Sequence, residues 1–303
     1  MTRPAREDSN VSRAIRLNIL LTLMAFLMSQ LLGNALFAGD LGNVRESAKG
    51  SNSKKAAATD DDDRPKKKRK RRHHNDYCDD NDDAFASFSG MVLFYAVASP
   101  WIVPPAMLGD DYADVVQFSD FPYDNGHNGF LELVAFDETA QNANSFRLTG
   151  EYGTDFSGLE RFGGRLQLDN ISRWGLDTEW NYWQEDVTGS RHDTLWTGDA
   201  NLVYRFAQNE HAQFYTGLGL NWLSGGQTDV GFNFTYGFDW FPTEPFVIRS
   251  VLDAGTIGDA DMYHSKTTLG LVYEHVELFT GYDILHIGDT NLQGIIGGVT
   301  FWW

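Results

Sequence analysis

From Ser145 to the end of the chain, apolar and polar residues alternate with a period of two. The alternating segments run for roughly 10 to 14 residues, longer than the five or six usual in globular strands. In the first, Phe146, Leu148, Gly150 and Tyr152 share one face and Arg147, Thr149 and Glu151 the other. Trp174, Leu176, Thr178, Trp180 and Tyr182 oppose Asp177, Glu179 and Asn181, and Trp196, Gly198, Ala200, Leu202 and Tyr204 oppose Thr197, Asp199, Asn201 and Arg205. Val230, Phe232, Phe234, Tyr236, Phe238 and Trp240 repeat the stripe. Ile295, Val299, Phe301 and Trp303 carry it to the last residue. Successive side chains of a strand point to opposite faces, so this pattern predicts about ten strands, with eight or twelve as the neighbouring counts.

The polar face decides the architecture. A soluble sandwich has no place for Arg, Asp and Glu on so many inner faces, whereas a closed barrel with lipid outside and a polar interior accepts them. The segment lengths also match the roughly 9–11 residues that cross a bilayer at a tilt. Trp174, Trp183, Trp196, Trp222, Trp240 and Trp302 lie near strand ends, where interfacial girdles are expected. The expected fold over residues 145–303 is therefore all-β, a closed antiparallel up-and-down transmembrane β-barrel. Turns near 171–173, 207–210, 242–245 and 274–275 fall at one end; loops near 157–159, 186–193, 224–227, 256–263 and 286–290 fall at the other.

Inside such a barrel, Arg147, Arg161, Arg165, Arg205 and Arg249 are expected to pair with Glu151, Asp169, Asp199, Asp239 and Asp253, because buried ions must satisfy one another. Asp177 and Glu179 add to the acidic side. A barrel of this width is filled by its side chains, since only much larger ones leave an aqueous channel.

Upstream the pattern changes. Arg3, Arg6, Arg13 and Arg16 precede an apolar run from Leu17 to Leu32, and small residues follow, so residues 1–38 read as an export signal cut after Ala35 or Ala38. Residues 39–83 are charged and poor in apolar side chains, as in a disordered linker. Residues 84–144 open with an apolar island over 84–109, interrupted by Gly90, Ser99, Pro100 and Pro104-Pro105, which reads as a short amphipathic helix from about Ala84 to Ala98. A loop over 110–128 and an extra strand over Phe130–Phe136 complete that region.

Charge narrows the partners. Of 24 Lys and Arg, 16 precede residue 84, while 29 of the 42 Asp and Glu follow it, leaving the body at −21. That field repels nucleic acid. The basic run Lys66 to Arg72 is nearly cancelled by acidic neighbours; the tract 60–83 is left available for cell-wall polymer or another anionic surface. The single Cys78 permits no intrachain disulfide.

Candidate chemistry is thin. His73, His74, Asp76 and Cys78 lie in the charged tract and lack the fixed geometry of a metal site. Asp259, Asp261 and Asp289 supply fewer oxygens than calcium takes. His264-Ser265, with His192 or Glu274, suggests lipid-hydrolase chemistry, but adjacent residues of a strand face opposite ways. No cofactor and no metal are expected.

The chain resembles Gram-negative outer-membrane β-barrel proteins of the small eight- to ten-stranded type. The likeness covers residues 145–303. It is carried by the strand pattern, by Gly281-Tyr282-Asp283-Ile284-Leu285 with Gly288-Asp289, and by the chain end. In that family the last strand bears an insertion signal: a polar residue, a glycine and two alternating aromatic or apolar residues. Gly298, Phe301 and Trp303 match it, and Ile296 departs at the polar position. The resemblance implies an outer-membrane location, outer-membrane lipid around the barrel, and the barrel-assembly machinery as a partner. The expected role is structural or adhesive, without catalysis. A small cation-selective channel is the second reading and a lipid-modifying barrel enzyme the third.

Overall fold

A computed structural model of the chain describes residues 41–49, 98–110, 115–134, 142–187 and 191–303. The export signal and most of the charged linker lie outside these residues, as do 84–97 of the expected amphipathic helix. The chain divides into two units, residues 51–104 and the remainder. Of the first, 98–104 are described; they are helical, and the helix continues to residue 108. Pro100, Pro104 and Pro105 lie within it, where interruptions were expected. Proline's own φ is helical, so the cost there is lost N–H donors and ring crowding, and the helix does not end.

Residues 144 to 302 form ten antiparallel strands in a closed barrel. They are β3 (Asn144–Thr154), β4 (Leu159–Asn170), β5 (Trp174–Val187), β6 (Arg191–Gln208), β7 (Ala212–Ser224), β8 (Thr228–Thr243), β9 (Phe246–Ile257), β10 (Ala260–Tyr273), β11 (Val276–Ile287) and β12 (Thr290–Trp302). Each strand pairs with the next, and β12 closes on β3 from Trp302↔Arg147 to Ile295↔Thr154. The period-two pattern thus becomes one apolar outer wall and one polar inner wall. Leu148, Phe162, Leu202, Leu218, Phe232, Leu271, Leu278 and Ile295 all stay exposed on the outside.

The outer hydroxyls are handled by the wall itself. Thr178 donates to the Asp199 carbonyl at 2.7 Å, Thr216 to Thr235 at 3.1 Å and Thr280 to Ile296 at 3.0 Å. Ser250 and Thr267 bond each other at 3.0 Å. Each of these outer-face hydroxyls thus has its partner within the protein.

The end carrying both Asn144 and Trp303 is the base, and it is corked. The short strands β1 (Val115–Phe118) and β2 (Leu131–Val134) pair antiparallel, β1 lying where only loop was expected. Phe118, Tyr123 and Phe130 between them enter the barrel and join Phe241, Val247, Val272 and Trp302 in one apolar cluster. Phe130 meets the Trp302 ring edge-on at 4.7 Å, and the Tyr123 hydroxyl donates to the Phe246 carbonyl at 2.6 Å. Burial pushes that phenol up to about 12. Asp110 holds Arg173 at 2.6 Å on the same rim. Met107 and Leu108, at the helix end, pack on the outer cluster of Phe206, Ala207 and Phe214.

The opposite end, the mouth, is corked by helix α1 (Leu41–Ala48), eight residues within the stretch expected to be disordered linker. Its fold follows from local spacing: Leu41, Val44 and Ala48 fall on one face. All three are fully buried against lumen-facing Leu159, Trp183, Leu195, Leu223, Ile257, Met262, Leu285, Ile287 and Leu292. Arg45 reaches Asp193 with two bonds of 2.7 Å and also the Thr194 carbonyl. The Leu41 amide donates to Glu185 at 2.8 Å, and the Ala48 carbonyl accepts from the Asp259 amide at 3.1 Å. Two hairpin glycines let the helix this close. A Cβ on Gly258 would strike the Ala48 carbonyl, and one on Gly288 would lie 2.6 Å from the Ser47 side chain; both glycines have positive φ.

Not every tryptophan belongs to a girdle. Trp174, Trp196, Trp222 and Trp240 are on the outer face, but Trp183 and Trp302 point inward and are buried at 3 % and 0 % exposure. Residue parity explains the correction, since Trp302 alternates with the outward Phe301 and Trp303. Trp302→Ala is expected to cost about 3–5 kcal/mol, the range for emptying a buried aromatic site. Trp303→Ala should cost well under half as much, both read from urea unfolding of the refolded barrel.

Candidate functional site

Between the two apolar corks lies a charged middle layer. Arg147, Glu151, Arg165, Asp169, Asp177, Glu179, Arg205, Asp239, Arg249 and Asp253 are buried, and Asp199 is half-buried. Their pairing is more specific than sequence could give. Arg147 forks between Asp169 at 2.8 Å and Asp239 at 2.7 Å. Arg161 contacts Glu151 at 2.6 Å and Asp283 at 2.5 Å. Arg165 grips Asp177 through two nitrogens, and Arg249 pairs with Glu277. Arg205 is 3.9 Å from Asp169 and donates to the Asn170 carbonyl.

The pairs expected from sequence are partly corrected. Asp253 faces His264 at 3.2 Å, where an arginine was expected, and the other ring nitrogen of His264 faces Asp283 at 2.8 Å. A ring with a carboxylate on each nitrogen is matched by imidazolium, which donates from both. Lys266 joins Glu151 at 2.9 Å and Glu179 at 2.5 Å. Glu277 and Asp283 escaped the sequence reading because they sit in strands whose alternation is weak; their parity with Phe279 and Leu285 was the available signal.

Asp199 differs from the rest. Its carboxylate accepts from the Asn201 amide at 2.7 Å, and across the strands it lies opposite Glu179 and Asn221. Among the described residues no cation pairs with it. The lumen carboxylates outnumber the lumen cations, and the others named here each share a cation within 4 Å.

The arginines also join the layers. Arg147 and Arg249 lie over the Trp302 ring at 5.1 and 5.5 Å, Arg161 over Trp183 at 5.4 Å, and Arg205 over Phe118 at 4.7 Å. A guanidinium presents its edge to carboxylates and its flat face to an aromatic ring, so it can border both a polar and an apolar layer. Lysine could not do both.

Other candidate residues are not brought together. His264 points into the lumen, and Ser265, the next residue, faces outward. His192 is exposed at the mouth against Asp186 at 2.7 Å, while Glu274 is in a turn at the base. Asp259, Asp261 and Asp289 are exposed at the mouth, and among the described residues no group of His, Cys, Asp and Glu is placed to hold a metal. His73, His74, Asp76 and Cys78 lie outside the described residues. At the chain end, Phe301 and Trp303 stack at 5.8 Å on the outer face, and Gly298 packs under Phe279 and the Gly150 carbonyl.

No family model matches the chain, and no curated protein does. Among solved structures it is similar to CdiB from Acinetobacter baumannii, at 9 % identity with a TM-score of 0.27. The overlap covers 57 % of this chain and 44 % of that one. The chain thus spans less than half of that protein, and a likeness of this size carries no functional information.

Two substitutions separate a paired from an unpaired lumen charge. Asp283→Asn, which takes one carboxylate from Arg161 and one from His264 while Glu151 and Asp253 stay beside them, is expected to destabilise by less than the about 3–5 kcal/mol of leaving a buried ion alone. Asp199→Asn is expected to raise stability, because it removes a carboxylate with no cation beside it. Urea unfolding in lipid vesicles measures both.

Proposed function

We propose that the protein is an integral outer-membrane β-barrel with a structural or adhesive role in the envelope and no catalysis. The observation that carries this reading is the outer wall. Leu202, Leu218, Leu220 and Leu278 are 57–60 % exposed, in a band of aliphatic side chains that runs around the barrel. Soluble monomers rarely show contiguous apolar patches beyond a few hundred Å². Lipid is the solvent such a wall fits, and the internally bonded hydroxyls of Thr178, Thr216 and Thr280 suit it too. The outward Phe301 and Trp303 are open to recognition by the barrel-assembly machinery.

Two further observations bear on the alternatives. A channel needs a continuous aqueous path, and here α1 and the Phe118–Phe130 cork close the two ends over a middle layer of paired ions. A lipid hydrolase at His264-Ser265 would need both side chains on one face, and they are on opposite faces.

The refolded protein is expected to need detergent for extraction and to migrate faster on a gel when unheated than when boiled. In planar bilayers it should give no conductance steps. Steps that vanish in the Asp177→Asn/Glu179→Gln variant would replace the structural reading with the cation channel.

A further inference from the structure

The unmatched carboxylate of Asp199 lies on a stretch of inner wall, shared by β6, β7 and β8, that is rich in amide side chains. Asp199 is opposite Asn221 in register. Asn201 reaches over Gly219 to Asn233, whose amide donates to the Asn201 oxygen at 3.0 Å. A Cβ on Gly219 would lie 2.4 Å from that oxygen, so glycine is what leaves the floor open there.

The three amides are oriented by the bonds their NH2 groups make. Asn201 donates to Asp199 at 2.7 Å, Asn221 to the Phe232 carbonyl at 3.2 Å, and Asn233 to Asn201, Thr235 and Asp253. Those bonds fix which end of each amide is the oxygen. The Oδ1 atoms of Asn221 and Asn233 are then left without a donor, in side chains only 1 % and 0 % exposed. Buried acceptors without a partner are rare in folded proteins. Asp199 itself stays half-buried inside the lumen, so there is room beside its carboxylate.

A water molecule can donate to these oxygens but leaves the charge; a cation answers both. The donors are all oxygen, which suits a hard metal ion over a soft one. With His264 as imidazolium, the middle layer holds nine carboxylates against seven cations, so a divalent ion balances it. Calcium accepts irregular sets of carboxylate and amide oxygens, with water completing a shell of roughly six to eight, whereas magnesium demands near-octahedral geometry. We propose that Asp199, Asn221 and Asn233 hold a calcium ion on the inner wall, taken up as the barrel folds. Only one of these ligands is an acid, so the site differs in kind from a cluster of His, Cys, Asp and Glu. It uses the lumen alone and does not depend on what surrounds the barrel.

The test is to refold the full chain in detergent micelles with calcium, with magnesium or with a chelator. After desalting, bound metal is measured by elemental analysis and the urea midpoint of each sample is compared. The wild type is expected to retain stoichiometric calcium and to unfold at higher urea than the chelator sample, with a smaller shift from magnesium. Asp199→Asn and Asn221→Leu should fold, as read by heat-modifiable migration, yet retain no calcium and show no calcium shift. Asp261→Asn, which alters an exposed mouth carboxylate, should behave as the wild type. In chelator Asp199→Asn is the more stable protein, and calcium reverses that order. A wild type that retains no calcium overturns the inference, as does calcium retention that survives in both Asp199→Asn and Asn221→Leu or is lost in Asp261→Asn.

Discussion

Charge inside a sealed cylinder has to be settled within that cylinder. The outer wall is aliphatic, α1 closes one end and the Phe118–Trp302 cluster the other, so the middle layer has no bulk water to solvate its ions. Under that constraint each guanidinium needs carboxylates at bonding distance, and Arg147, Arg161 and Arg165 all have them. The arginine–aromatic contacts at both boundaries are part of the same solution, because they let a charged layer end against an apolar one without exposing either. Asp199 marks the one place where the balance is left open among the described residues.

Much of this was legible in the chain. Period-two alternation gave the strands, their two faces and the closed barrel, because a one-residue slip would turn every side chain over and the pattern leaves no freedom for that. The identity of the interior charges followed from the same parity. Partner choice did not, since it depends on strand tilt and stagger around the barrel: Arg147 meets Asp239 across the lumen, and Lys266 bridges Glu151 and Glu179. Trp183 and Trp302 lie near strand ends as girdle residues do, but their parity puts them inside.

The corks were the least legible parts. Helix α1 has three apolar positions in eight residues, too few to stand out in a charged stretch, and it is stable only because a ring of mouth residues from several hairpins covers it. Strands β1 and β2 are four residues each and owe their order to the barrel base beneath them. Both are tertiary overrides of weak local preference.

The ion network joins partners that are far apart along the chain. Arg147 and Asp239 are 92 residues apart, and Lys266 and Glu151 115. None of these pairs can exist in a half-built sheet, where each of the same side chains faces an open trough. Closure is therefore the step at which these cross-lumen pairs form, whereas Arg161–Glu151 and Arg165–Asp177 join neighbouring strands and are open to an earlier stage. Folding of this barrel should be steeply cooperative and slow for its size, as expected when distant contacts supply the reward.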